Sequence, residues 1–188
     1  MVLDVLRLCR NPVVVDGGAI SALASEGGRA ASSLRAEAAL VTVVTPHLGE
    51  AARLAAPFKE KPPKGPSSER KELARFAQKL SDCYGATMVL KGPDTYIACA
   101  KNPPDGSDDV VRVMDSGTPA LAKAGTGDVL SGMLASLLAQ GLPPLKAAEL
   151  ATSLHARAGC VAARRLTEVS VCATDVVECI AQAVSDIC

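Results

Sequence analysis

Three short runs of β-branched residues, each cut off by a turn-forming residue, constrain this chain more than any other feature. Pro12-Val13-Val14-Val15-Asp16 ends in an acid followed by two glycines. Leu40-Val41-Thr42-Val43-Val44-Thr45 is stopped by Pro46 and followed by Gly49-Glu50-Ala51-Ala52-Arg53-Leu54, a stretch of helical composition. Ala86-Thr87-Met88-Val89-Leu90-Lys91 runs into Gly92-Pro93-Asp94. Runs this short and this apolar read as buried strands, and strands alternating with helices indicate an α/β sandwich with helices on both faces of a mostly parallel sheet. Gly92-Pro93-Asp94 is a turn trio, so Thr95-Tyr96-Ile97-Ala98-Cys99 should pair back on the third run as a hairpin. Asn102 to Asp109 is a second turn before Val110-Val111-Arg112-Val113-Met114, which predicts an antiparallel edge.

The helices are legible from their apolar spacing. Leu73, Phe76, Ala77 and Leu80 fall three and four apart on a helix that Ser68 would cap and Tyr84-Gly85 would end. Val129, Leu130, Met133, Leu134, Leu137 and Leu138 trace one face of a helix ended by Gly141. Pro143-Pro144 suits the first turn of the next, running to about Arg165. Thr174-Asp175 opens a last helix, with Val176, Val177, Ile180 and Val184 expected inward. Residues 56–68 hold four prolines and few apolar groups, and are expected to form an exposed connection within one domain, 1–188.

Composition excludes several functions. Lys plus Arg total 20 and Asp plus Glu total 20 in 188 residues, so no basic footprint supports nucleic-acid binding. Two Phe, two Tyr and no Trp remove the stacking platforms that single-strand binders use. No apolar run reaches the roughly 18 residues of a membrane span. Seven scattered cysteines with no CxxC pair, beside only two His, argue for free thiols in a reducing, cytoplasmic setting and against a metal cluster.

Gly125-Thr126-Gly127-Asp128 stands at the mouth of a strongly amphipathic helix. Two glycines at a helix mouth allow backbone N–H groups to converge on an anion, although alone they are equally a tight turn. Asp128 alters that balance. A carboxylate beside a phosphate notch repels its ligand unless it has a task, such as taking a proton from an attacking hydroxyl. His47 follows Pro46 at a strand end, where ligands of α/β sheets bind. Lys91 by itself reads as an exposed strand-end lysine, and Lys123 equally as a cation near enough to help a phosphate or as a solvated lysine. Asp16 reads as either a ligand-facing acid or a loop cap, and His155 as a packing histidine in an Ala-rich helix.

Gly125-Thr-Gly-Asp-Val-Leu-Ser-Gly-Met-Leu-Ala135 resembles the anion-hole motif of ribokinase-like proteins. The run to Ala148, Leu154-His155-Ala-Arg-Ala-Gly159, Val14-Val15-Asp16, Thr45-Pro46-His47-Leu48-Gly49-Glu50, Val89 to Thr95 and Ala173-Thr174-Asp175 resemble, in order, the NAD(P)H-hydrate dehydratase family. That resemblance implies a ribokinase-like three-layer sandwich. It implies dehydration of (6S)-NAD(P)H hydrate, by phosphorylation of the C6 hydroxyl from ADP or ATP with Mg2+ on the phosphates, then loss of phosphate. Asp128 would be the base and contact the hydrate, and His47 would lie beside it. Lys91, Gly92, Pro93, Asp94 and Thr95 would contact the nucleotide, and Gly125, Thr126 and Gly127 the transferred phosphoryl group. A homo-oligomer is expected from the same resemblance.

The motifs depart from the family pattern at two places: Leu48 stands for a Pro, and Asp16-Gly17-Gly18-Ala19-Ile20 for Asp-Ala-Asp-Ala-Leu. Family members ordinarily carry a further amino-terminal region, so this chain is expected to be truncated, with its nucleotide half complete and its substrate half reduced. Two rivals share the fold or the notch: a small-alcohol kinase of the thiamin-precursor type, which tends to carry Cys where Asp128 stands, and a noncatalytic nucleotide-binding module.

Overall fold

The computed structural model describes residues 2–9, 11–30, 34, 42–65, 68–99, 112–115 and 117–187. In chain order the elements are α1 (Val2–Leu8), β1 (Val13–Val15), α2 (Gly18–Glu26), β2 (Thr42–Val44), α3 (Leu48–Ala55), α4 (Arg70–Tyr84), β3 (Thr87–Leu90), β4 (Asp94–Ala98), β5 (Arg112–Asp115), α5 (Thr126–Ala139), α6 (Pro144–Leu166), α7 (Ala173–Glu178) and α8 (Ile180–Ser185). Short 3-10 turns occupy Ala56–Phe58 and Pro119–Leu121.

The five strands form one sheet in sequential order. β1, β2 and β3 run parallel, with Val13 opposite Thr42 and Val43 opposite Thr87. β3 and β4 close the expected hairpin, Val89 against Ile97, and β5 adds antiparallel to β4, Tyr96 against Val113. Alternation along the strands divides the core in two. Val44, Met88, Leu90, Tyr96 and Ala98 face α2, α3 and α4, where Ile20, Leu54, Phe76 and Leu80 are buried. Val43, Val89, Ile97 and Cys99 face α5 and α6, against Leu130, Leu134, Leu138 and Leu145. A sheet apolar on both faces needs a helical layer on each side, and this one has both. No described helix is long and apolar enough to cross a membrane.

A third cluster joins α6 to α7 and α8 through Ala158, Val161, Ala162, Val176, Cys179 and Ala183. Here the expected pattern is corrected. Val176 is buried, but Val177 and Val184 are 52% and 41% exposed. The helix ends at Glu178 and resumes at Ile180, and the small residues Cys179 and Ala183 take the inward positions. The facing surface of α6 is alanine-rich and admits a close approach that valines would block. Ser68 is likewise corrected: α4 begins after Glu69 with no side-chain cap, and the Ser68 hydroxyl instead accepts from the Gly65 amide at 3.4 Å. Leu40, Val41, Val110, Val111 and the turn from Asn102 to Asp109 lie outside the described residues.

Gly117 seats the chain between β5 and α5 directly on α6. It has φ +81°, and a Cβ there would stand 2.8 Å from the Ala156 carbonyl oxygen, a backbone atom that cannot swing aside. Gly117→Ala is therefore expected to destabilise the protein by at least about 2 kcal/mol, combining left-handed strain with the clash. Gly132→Ala, in the exposed open face of α5, is expected to stabilise by roughly 0.5–1 kcal/mol. Urea denaturation of the two variants checks both signs.

Candidate functional site

β2 hands over to α3 through Thr45-Pro46-His47, and His47 starts the helix. Its Nδ1 accepts from the amides of Gly49 (3.1 Å) and Glu50 (3.3 Å), while the Glu50 carboxylate accepts from the His47 amide at 2.9 Å. This is a capping box with histidine at the cap, and the imidazole remains 59% exposed on its outer side. The Lys91 amide donates to the Pro46 carbonyl at 2.8 Å, and a parallel bridge sets His47 beside Lys91. The residues after β2 and β3 thus emerge side by side at the carboxyl ends of the parallel strands, the ligand-binding end of such sheets.

Asp16, just beyond β1, completes that end. Its carboxylate accepts from Lys91 Nζ at 2.8 Å and from Ser131 Oγ at 2.6 Å. Burial pushes the Asp16 carboxyl up, but the hydrogen bonds from Lys91 and Ser131 and the lysine charge outweigh it and hold the group below the ordinary 3.8. The ion pair sits over the start of α5: a Cβ at Gly127 would lie 3.3 Å from Lys91 Nζ and 3.8 Å from Asp16 Oδ2.

The first turn of α5 is shaped by Gly125 and Thr126. Gly125 is the cap residue at φ +86°, and the buried Thr126 hydroxyl contacts the carbonyls of Leu121 (2.6 Å) and Lys123 (2.8 Å). That fixes the loop from below. Among the described residues, the amides of Gly127 and Asp128 have no hydrogen-bond partner, and the Thr126 amide has only a 3.4 Å contact to the Lys123 carbonyl. Unpaired first-turn amides at the positive end of the helix dipole, with the Asp16-paired Lys91 ammonium close by, are an arrangement that can accept an anion.

A cleft of about 820 Å³ connects these groups. His47, Lys91, Gly92, Pro93, Thr95, Thr126 and Gly127 line it, so seven of the ten residues singled out from the sequence converge. Gly125 forms the cap behind the notch. Asp128 is exposed on the same first turn and is not part of the cleft wall. The Asp94 carboxylate pairs instead with Arg70, at 2.9 Å from its Nε. Lys123 also lines the cleft, but its ammonium donates to the carbonyls of Glu168 and Val171, each at 2.8 Å, and so clamps the segment before α7. Asp175 caps that helix, accepting from the Cys172 amide at 2.8 Å.

The chain as a whole is similar to known proteins. The family model described as NAD(P)H-hydrate dehydratase matches residues 2–182. The chain belongs to the NAD(P)H-hydrate dehydratase family. It is 40% identical over 152 residues to the bifunctional NAD(P)H-hydrate repair enzyme Nnr of Mycobacterium leprae, covering 81% of this chain and 28% of that protein. It is 36% identical over 150 residues to the ADP-dependent (S)-NAD(P)H-hydrate dehydratase of Neisseria meningitidis, covering 79% and 44% respectively. The chain therefore spans less than half the length of either relative. Its fold matches the ADP/ATP-dependent NAD(P)H-hydrate dehydratase of Bacillus subtilis crystallised with ATP and Mg2+, with a TM-score of 0.75, 24% identity, and coverage of 98% of this chain and 58% of that one. A ribokinase-like superfamily protein of Enterococcus faecalis matches with a TM-score of 0.65 at 21% identity, over 98% and 58%. The ribokinase-like sandwich is thus the fold of this family member.

The structure adds residues that the sequence reading passed over. Ser131, which anchors Asp16, lies four positions after Gly127, and that helical spacing is a signal that it shares the notch-facing side. Thr152 lines the cleft one turn before His155, again with helical spacing as the only clue.

The Asp16–Lys91 pair has a pH signature. Because the folded carboxyl titrates below its unfolded value, its contribution is complete above about pH 3.8 and is lost as pH falls through the lowered folded value. Asp16→Asn is expected to cost about 1–3 kcal/mol at neutral pH, with the gap to the parent constant from pH 7 to about 4.5 and closing only below that. Urea titrations across that range measure it, and a gap that closed near pH 6 would point to a different group.

Proposed function

We propose that this chain carries the nucleotide-dependent dehydration of NAD(P)H hydrate, restoring the reduced cofactor from its hydrated form. The observation that carries the reading is the notch itself: unpaired amides at Gly127 and Asp128 under the Lys91 ammonium, in one cleft with His47. The names of the Neisseria and Mycobacterium relatives support the same activity. In this reading the 188 residues act as one domain.

Each residue then has a task that follows from its position. Gly125, Thr126 and Gly127 form the notch for the phosphoryl group in transit, with the open amides of Gly127 and Asp128 as its backbone donors, and the Lys91 ammonium faces its oxygens. Phosphoryl transfer is carried mainly by such positioning and charge stabilisation, so no covalent nucleophile is required. Gly92, Pro93 and Thr95 wall the nucleotide, with Asp94 holding that loop through Arg70. Asp128, exposed at the rim, takes the proton from the C6 hydroxyl as its oxygen bonds to phosphorus. The ring nitrogen lone pair then expels phosphate from C6, leaving an iminium, and loss of a proton from C5 to solvent re-forms the C5–C6 double bond. His47 borders the hydrated ring.

ADP or ATP is the phosphoryl donor. Magnesium fits as an ion carried on its phosphates, since the described residues hold no cluster of three His, Cys, Asp or Glu for an all-protein cage. Assembly into a homo-oligomer belongs to the same proposal, because β1 is an edge strand of the described sheet.

Asp128→Asn is expected to lower turnover by about 10²–10⁴ while nucleotide affinity stays within about twofold, as for loss of a general base. Recovery of NADH absorbance from its hydrate with ADP or ATP, alongside calorimetric titration of the nucleotide, measures the two effects. Undiminished turnover would remove Asp128 from the chemistry, and phosphorylation of another alcohol without cofactor recovery would favour the small-alcohol kinase.

A further inference from the structure

The cleft has a second polar feature that the phosphoryl notch does not use. Thr152 and His155 lie one turn apart on α6 and both face the cleft. They are only 4% and 8% exposed, yet Thr152 Oγ1 and His155 Nε2 have no hydrogen-bond partner among the described residues. Buried polar atoms are almost always paired, and each one left unpaired costs a protein stability. Two such atoms at helical spacing in the wall of one cavity are the pattern of a site whose partners arrive with the ligand.

The chemistry of the missing partner is restricted. Burial holds the His155 imidazole below its ordinary value of 6.5, opposed by a backbone hydrogen bond at Thr126 and reinforced by the nearby Lys91 charge. The neutral form of the ring is therefore favoured, and with the threonine hydroxyl it offers both donor and acceptor capacity. Anionic phosphates already have the amides and Lys91.

We propose that Thr152 and His155 form a specificity subsite that hydrogen-bonds an uncharged hydroxyl or amide group on the nucleoside portion of a ligand whose phosphates occupy the α5 notch. This deepens the nucleotide reading of the cleft and rests on it. Two nucleosides could supply the group: the base and ribose of the phosphoryl donor, or the nicotinamide riboside of the hydrate.

Calorimetric titration of the parent, Thr152→Val and His155→Leu with ATP, NADPH and inorganic tripolyphosphate tests the subsite. Loss of one neutral hydrogen bond corresponds to about 3–10-fold in affinity. Each variant is expected to bind ATP or NADPH that much more weakly, and the weakened arm identifies the source, while tripolyphosphate binding stays within about twofold. Unchanged affinity for both nucleotides, or tripolyphosphate weakened equally, would overturn the proposal. Thr152→Val is isosteric and removes an unpaired hydroxyl, so it should melt no lower than the parent. A clear fall in Tm would assign that hydroxyl to the fold and also overturn it. Cofactor recovery by the parent chain is a separate readout: its failure with ATP binding and the variant losses intact would sink the proposed reaction and leave the subsite standing.

Discussion

The salt bridge between Lys91 and Asp16 ties together every part of the site. It spans 75 positions of sequence and links the end of β3 to the end of β1, with Ser131 of α5 as a third member. A lysine at a strand end would ordinarily swing in solvent with little energetic consequence. Here the carboxylate holds its ammonium over the first turn of α5, close enough that a Cβ at Gly127 would stand 3.3 Å from Lys91 Nζ. The pair is partly buried, so its charges are less screened than surface charges. Parallel strands β1, β2 and β3 bring the three loops to one rim, and the ion pair fixes the position of the Lys91 ammonium beside the open amides of α5.

The site is also where the fold gives up stability. First-turn amides without partners and two unpaired buried side-chain atoms are each costly, and Gly127, Thr152 and His155 among them line one cleft. Elsewhere the packing is consistent: Tyr84 donates from its hydroxyl to the Leu54 carbonyl at 3.0 Å, and its ring meets Phe58 edge-on at 5.2 Å. Among the described residues, the buried side-chain atoms left without partners, Thr152 Oγ1 and His155 Nε2, both belong to residues of the cleft lining, and open polar groups of this kind are expected at functional sites.

Much of this was readable from the residues. The Val-rich runs, the turn at Gly92-Pro93 and the leucine spacing after Gly127 are local signals, and the strands, hairpin and helix they predict are present. The last helix was misread because Val177 and Val184 are more apolar than Cys179 and Ala183. Shape, imposed by the alanine face of α6, selected the smaller residues. Asp16 stayed ambiguous in the sequence because its role depends on Lys91 and Ser131, partners no local pattern can supply. His155 read as a packing residue, and it is indeed buried. That its Nε2 lacks a partner is a property of the assembled cleft, invisible to helical spacing. Lys123 differs from both readings considered for it, since its ammonium is spent on the carbonyls ahead of α7.

The central claim is that the amides at the start of α5, with Lys91 above them, grip the phosphoryl group that is transferred. A crystal structure of this chain with ATP and Mg2+ tests it most directly. Terminal phosphate oxygens are expected within about 3 Å of the Gly127 and Asp128 amides and of Lys91 Nζ, with the Asp16 contact retained. Phosphates seated elsewhere, with those amides left facing solvent, would contradict it.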